Sequence, residues 1–600
     1  MSTVYANLKP KSKEPRWHQL LMRIQGSYFP SPYRQAEKDN QFENTVRLAI
    51  RSLDRMKHQR DKCYLGKPEQ LDFEQCRTEA TLPEQMAEDI ETVIRQLVDF
   101  FNGMVNWNHP FAMANVMPPP TIPSIIANTL AAVFNPDISS DDFCWNVAAT
   151  EIEAVAIMAQ LIGYDQRQAG GIFTFGGTGS SLYATKLALT KCLGLNSRYE
   201  GIRTDAQVLI SQAGHYCQEN CADWIGLGMK NIREIEVDKN NRMSVAHMKE
   251  VMQACHAEGK PIAMVVCTLG TTDAFAIDPI YEIKQAIDEF ATQYHQTRPM
   301  LYADAVIGWP WTAFRDYDFS QNPLQFSEEA ARVLKECYEQ IQYIHLADAV
   351  GCDFHKTGWS PYNCSLFMVK NRQDFELLQH DFQGGSYLYN LDEYHPGTFT
   401  LETTRAGAYS LAGWANLKLF GREGLRVMLG HLVEVQINLR RRLHKQSTTV
   451  CVNPNNHGAV TLFRVYPRGV NAEQQYQREL TNPAYREQLQ EHNKLQKAIA
   501  TEMRKMLREN GENAPAISLT ETYRSPEYAP AGDKSCRITA LKAYPMSPYS
   551  DEKAMETLML YVLKARDNLL GKPKKKDEKR KAVSIKHQND KIKASQKMKS

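Results

Sequence analysis

Six hundred residues, 43% of them hydrophobic, exceed one ordinary core and predict two or three domains. The formal charge of +2 conceals an asymmetry: residues 571–600 hold twelve Lys/Arg and three Asp/Glu, leaving 59 basic against 66 acidic residues elsewhere. Thirteen scattered cysteines without a C-x-x-C pair argue against a disulfide framework or zinc ribbon, and predict a reduced, cytoplasmic protein with no metal site. No apolar core of a signal peptide opens the chain and no apolar run approaches membrane-spanning length, so no membrane association is expected.

Residues 1 to about 110 are charged and rich in helix formers, with helices predicted over Gln41–Met56 and Pro83–Phe101. Pro118-Pro119-Pro120 marks a rigid loop. An apolar helix follows over Pro123–Phe134, and a second over Ala148–Leu161.

From Gly170 the pattern becomes strand, glycine turn, helix. Gly171–Phe175 is short and apolar, Gly176-Gly177-Thr178-Gly179-Ser180-Ser181 follows, and Leu182–Leu193 has helical spacing. Glycines admit an anion close to backbone N–H groups, and a helix N-terminus adds partial positive charge. The turn can therefore cradle a phosphate, or be a plain glycine turn. It lacks the lysine of a P-loop and the spacing of a dinucleotide fingerprint.

Strands alternate with helices beyond it. Val208–Ser211 leads to His215, Ile262–Thr268 to Thr271-Thr272, Met300–Ala303 to Asp304, and Tyr343–Val350 to His355-Lys356. Helices over Tyr281–Gln293 and Glu328–Gln340 lie between. This alternation predicts a mostly parallel sheet covered on both faces, and each polar residue falls at a strand's carboxyl end, where such sheets gather ligands. A lysine after a buried strand is costly to desolvate unless its pKa falls or it forms a Schiff base. Taken alone, Lys356 also reads as a surface lysine, Asp304 as a cap and His215 as structural.

The order of these motifs resembles the pyridoxal-phosphate-dependent group II amino-acid decarboxylases. Phe173–Leu182 is similar to their phosphate loop; Cys267–Thr272 with Ile277–Ile280, Tyr302–Ala305 and Asp353–Lys356 resemble further hallmarks. Val147–Glu153 resembles the entry helix, and Glu402–Gly407 and Trp414–Gly421 the later pattern. The resemblance covers roughly residues 105–425. It implies a type I (aspartate aminotransferase-like) α/β fold, with a mostly parallel seven-stranded sheet and a smaller C-terminal α/β domain.

The resemblance also implies roles. Lys356 would hold pyridoxal 5'-phosphate as a Schiff base, Asp304 would face the pyridine nitrogen, and His215 would lie over the ring. Thr178, Gly179 and Ser180 would bind the phosphate, Thr272 would approach the ring edge, and His355 would pack beside phosphate and imine. Arg405 and His109 would serve the substrate, although Arg405 reads equally well as half of a salt bridge. Tyr387 or Tyr389, in a glycine-hinged segment, would donate a proton, or be ordinary packing. A homodimer with the site near its interface is expected.

Thr539–Tyr549 resembles the bacterial tyrosine decarboxylases, which slightly favours an aromatic substrate over glutamate or aspartate. Ala349 stands where relatives often carry Ser. The 52 positions from Asp304 to Lys356 suggest a surface insertion around Trp309–Glu328. Pro467–Lys505 reads as an exposed helical insertion, with small-domain strands near Ala459–Val465 and Ser535–Leu541. The domains expected are a helical segment over 1–120, a large cofactor domain over 121–398, a small domain over 399–570 and a disordered basic tail over 571–600. The tail alone is a weak basis for nucleic-acid binding. Alternatives are a carbon–carbon lyase of the sphingosine-phosphate lyase type and a cofactor-binding protein without turnover.

Overall fold

The computed structural model describes residues 15–571, apart from 37–39, 59–61, 69–70, 88, 381–393, 531–532 and 534–535. The basic tail therefore lies outside the described residues. Helix Gln41–Met56 begins at Asn40, whose side chain accepts the Glu43 N–H. The next predicted helix is shorter than its pattern: Asp89 caps it, so it runs only Ile90–Asp99.

Strand β1 (Ala112–Met113) comes first in the chain but belongs to the second of two sheets. The larger sheet is built from β2 (Gly170–Phe175), β3 (Gln207–Ser211), β4 (Ile232–Ile235), β5 (Ile262–Thr268), β6 (Met300–Asp304), β7 (Ala349–Asp353) and β8 (Cys364–Val369). Their order is β2-β8-β7-β6-β5-β3-β4, and only β8 runs against the rest. Every residue of β3, β5, β6, β7 and β8 is buried, as befits strands covered on both faces.

The smaller sheet has the order β1-β11-β12-β10-β9, from β9 (Thr449–Cys451), β10 (Thr461–Val465), β11 (Ala516–Thr520) and β12 (Ala540–Ala543). β1 pairs parallel with β11, so the segment read as helical also contributes a strand. Ala408–Lys445 is one helical run broken at Gly421 (φ 54°), a left-handed conformation that suits glycine. Among the described residues no helix is long and apolar enough to cross a membrane.

Three expectations need correction. Residues 342–346 form a 3₁₀ turn, and the strand before Lys356 is Ala349–Asp353. The insertion expected around Trp309–Glu328 is not superficial at its start: Trp309–Phe314 are all buried, and Trp309, Trp311 and Phe314 belong to the main core, while most of 315–328 stays at the surface. Helix Arg486–Arg508 is amphipathic, burying Leu489, Ile499, Met503 and Met506, the last three beneath the smaller sheet.

Arg405 is also relocated from the substrate role. Its Nη2 donates to Glu151 Oε1 at 2.7 Å and to the Phe173 carbonyl at 2.9 Å, and its Nη1 donates to Glu151 Oε2 at 3.1 Å and to the Ile138 carbonyl. Glu151 also accepts the Phe173 N–H at 2.6 Å and the Tyr394 hydroxyl. Both side chains are buried. The pair pins helix Val147–Ile162 to β2 and to the entry of helix Ala408–Lys445, and leaves the guanidinium committed. Removing one member of such a pair strands a buried charge. Arg405→Met should therefore lower the stability against urea by about 3–5 kcal/mol, and Arg405→Met with Glu151→Met should recover most of that loss.

Candidate active site

Lys356 stands in the turn between β7 and β8, and that turn is fastened from three sides. Thr357 Oγ1 donates to the Ile307 carbonyl at 2.7 Å. Asn416 Nδ2 reaches the carbonyls of Gly358 and Trp359 at 2.7 and 2.9 Å. The buried Trp359 donates its indole N–H to Met546 O at 3.2 Å. The lysine is thus presented from a rigid frame.

Its amine lies 3.0 Å from Asp353 Oδ2. Burial alone would lower the Lys356 pKa, but the Asp353 carboxylate outweighs it and raises the value above 10.5. Asp353 also accepts the Ser365 hydroxyl at 2.6 Å and faces His355 Nε2 at 3.5 Å. Asp353 belongs to the Asp-x-His-Lys motif, yet its type alone gave it no role. Its position three residues before the lysine, at the last place in a buried strand, was the available signal.

Asp304 ends β6, next to β7, and its register partners are Thr268 and Gly351. It is buried, and its Oδ1 has no hydrogen-bond partner among the described residues. Burial is the main cause that pushes its pKa up from 3.8 to about 6, while Lys356 acts in the other direction. A buried carboxylate oxygen without a donor is the feature a protonated ring nitrogen would satisfy.

His215 follows β3. Its Nδ1 accepts the Cys217 N–H at 3.2 Å and its ring stacks on Tyr216 with centroids 4.4 Å apart. Burial, helped by the positive charge of Lys356, lowers its pKa to about 4, so the ring is neutral and fit to lie against a flat partner. His355 is buried, with Nδ1 3.0 Å from the Cys364 carbonyl, and burial lowers its pKa too.

The glycine turn opens helix Gly177–Leu193, whose first N–H groups have no acceptor one turn earlier. A Cβ on Gly177 would stand 3.0 Å from both Asp353 oxygens, so this position has no room for a side chain. Gly179 and Ser180 are buried, Thr178 is exposed, and Ser180 Oγ lies 3.1 Å from Thr174 Oγ1. The turn, Asp304 and His215 together fit pyridoxal phosphate: an N–H cradle for the phosphate, an unpaired acid for the ring nitrogen and a neutral ring for the face.

Thr272 and His215 line a cavity of about 520 Å³ between the two sheets, together with Asp273, Ser518, Arg537 and Lys542. None of the last four was singled out from the sequence, because three of them come from the other sheet's segment. His109 does not line this cavity; it is buried against Phe111, whose N–H it accepts at 3.1 Å. Tyr387 and Tyr389 lie outside the described residues.

Residues 68–298 match the pyridoxal-dependent decarboxylase conserved domain, a stretch that ends shortly before Asp304 and well short of Lys356. The chain is 25% identical over 410 residues to an L-2,4-diaminobutyrate decarboxylase of Acinetobacter baumannii, covering 65% of this chain and 74% of that protein. An aromatic-L-amino-acid decarboxylase of Bacillus atrophaeus is also 25% identical, over 69% of this chain and 79% of its own. In fold, the chain resembles the Oryza sativa TDC crystallised with PLP and tryptamine, at a TM-score of 0.70 and 15% identity, with 90% of this chain and 100% of that one covered. The matched domain and these relatives support a pyridoxal-phosphate-dependent group II amino-acid decarboxylase.

Proposed function

We propose that this chain converts an L-amino acid with a polar side chain into its amine and carbon dioxide, with Lys356 as the covalent anchor of the cofactor. The observation that carries the site assignment is the buried, partnerless Oδ1 of Asp304 on the strand next to the one that leads to Lys356. Pyridoxal phosphate, when bound, supplies the sink for the electron pair left as carbon dioxide departs.

This chain's residues set the conditions for that chemistry. Asp304 would pair with the ring nitrogen and keep it protonated. Thr178, Gly179 and Ser180 would hold the phosphate; His215 and Thr272 would meet the ring's face and edge. Asp353 holds the Lys356 ammonium in place and is the nearest acceptor for its proton. His355 and Ser365 fix that carboxylate in turn.

The cavity beside His215 supports the substrate class. Its wall carries Asn115, Glu219, Glu234, Asp273, Arg537 and Lys542 beside the apolar Ile210, Tyr216 and Leu519. Such a wall suits a polar side chain better than the aromatic one suggested by Thr539–Tyr549, because charged groups facing an apolar ring would lose water without compensation.

A homodimer is part of this reading. Ile122, Ile126, Leu130 and Phe134 recur every fourth residue along helix Ile122–Phe134 and are 77, 50, 54 and 81% exposed. A stripe of that kind fits the same stripe on a second copy.

Screening the twenty amino acids for amine product tests the activity, and polar substrates should outrank tyrosine. Lys356→Ala should abolish turnover and leave no borohydride-reducible adduct; a remaining adduct would place the anchor elsewhere. Asp304→Asn should keep the phosphate contacts but cut kcat by about 100-fold, the worth of roughly 3 kcal/mol for a charged buried hydrogen bond.

The same variant has an opposite effect on the cofactor-free fold. The Asp304 pKa rises from 3.8 to about 6, so the fold holds that proton more tightly than the unfolded chain does. Its favourable contribution is complete below pH 3.8 and is lost as the pH climbs through 6. Ionised at pH 7, the acid costs the cofactor-free protein roughly 3 kcal/mol. Asp304→Asn should therefore raise the cofactor-free Tm at pH 7 and leave it nearly unchanged at pH 4. Ile126→Asp with Leu130→Asp should convert a dimer into a monomer by light scattering.

A further inference from the structure

The interdomain cavity holds a charged pair that the cofactor does not use. Lys542 projects from β12 beside its register partner Ser518 on β11, and both line the cavity with His215 and Thr272. Its side chain is 4% exposed. The Nζ lies 3.1 Å from Asp273 Oδ1 and 3.3 Å from Asn115 Oδ1. Asp273 is the looser partner: its side chain is 37% exposed, and its other oxygen accepts the Thr520 hydroxyl at 2.7 Å.

Arg405, the guanidinium expected to meet the substrate, is committed to Glu151. The cavity wall has two other cations, Lys542 and Arg537, and the buried Nε of Arg537 has no partner among the described residues. The Lys542 pKa is lowered by burial against the pull of Asp273, and Lys356 contributes to the lowering, which places the two ammonium groups within each other's field. The wall therefore presents donors beside His215 and Thr272, with a counter-ion exposed to water on one side.

We propose that Lys542 takes a carboxylate of the amino-acid substrate, exchanging Asp273 for it. Swapping one carboxylate for another keeps the buried charge balanced, and Asp273 retains the Thr520 hydroxyl as it leaves. This rests on the decarboxylase reading. The carboxylate has two sources, the α-carboxylate of any amino acid or the side-chain carboxylate of an acidic one.

The test uses the full chain loaded with pyridoxal phosphate, as wild type, Lys542→Met, Lys542→Arg and Asp273→Asn. Steady-state kinetics run on each amino acid that the wild type turns over, and calorimetric titration uses succinate, a dicarboxylate that cannot react. Lys542→Met should raise KM about 30-fold with kcat within threefold, as expected for losing a charged hydrogen bond. It should also abolish succinate binding, and Lys542→Arg should restore most of both. Asp273→Asn should lower KM, because the competing counter-ion is gone.

A KM rise shared by all substrates identifies the α-carboxylate, and one confined to aspartate and glutamate identifies the side chain. A structural ion pair predicts the reverse of this sign pattern: both single variants weaken the protein together and leave KM alone. That result overturns the proposal, as does succinate binding equally to wild type and Lys542→Met, or not at all to the wild type. If no amino acid is decarboxylated while succinate binding still depends on Lys542, the carboxylate site stands and the catalytic reading falls.

Discussion

The site depends on two ionisable groups largely withdrawn from water near the carboxyl ends of adjacent parallel strands, Asp304 buried and Lys356 partly so. Asp304 is the last residue of β6, in register with Gly351 of β7, and Lys356 follows in the fastened turn after β7. Neither charge is well solvated there. Lys356 is compensated within the chain by Asp353, and Asp304 is not, since Oδ1 has no donor among the described residues. The protein thus carries one satisfied buried charge and one unsatisfied one. The second is a defect that a cationic ligand atom would repair, and the core on both faces of the sheet is extensive enough to carry it.

Rigidity around that defect comes from groups that take no part in chemistry. Thr357, Asn416 and Trp359 fasten the turn after the lysine to three different parts of the chain, including Met546 beyond the small sheet. The lysine position is therefore coupled to how the two sheets meet. The cavity between them inherits the same coupling: its walls come from the loop after β3, the turn after β5, and β11 and β12.

Much of this was legible in the sequence because the large sheet is buried on both faces. Near-continuous apolar runs such as Ile262–Thr268 name themselves, and the polar residues after them mark the strand ends. Tyr343–Leu346 misled for the same reason: an apolar run does not distinguish a strand from a 3₁₀ turn that packs inward. The start of the expected Trp309–Glu328 insertion was misread through length, since 52 positions between two site residues look like an insertion when nothing shows that Trp309–Phe314 fill the core. β1 and β11 were invisible, being a two-residue strand and one with a half-buried centre. Lys542, Asp273 and Asn115 meet only because sequence-distant segments converge, and no spacing rule reports such a meeting.

Arg405 and Lys542 show why residue type is a poor guide to which cation meets a substrate. Arginine has the better geometry for a carboxylate, a planar fork able to bind both oxygens. That advantage is spent on Glu151, whose equally buried carboxylate cannot leave without stranding a charge. Lys542 offers a single point of contact, but its counter-ion reaches water and can be displaced. For a reaction that must release the carboxylate carbon, the weaker grip has a further merit. An interaction that holds ground state and transition state equally well lowers KM without raising kcat, and a bidentate clamp on the departing group would favour the ground state. A lysine already shared with Asp273 positions the substrate while leaving the carboxylate loosely held, so availability and moderate strength both follow from the exposure of its partner.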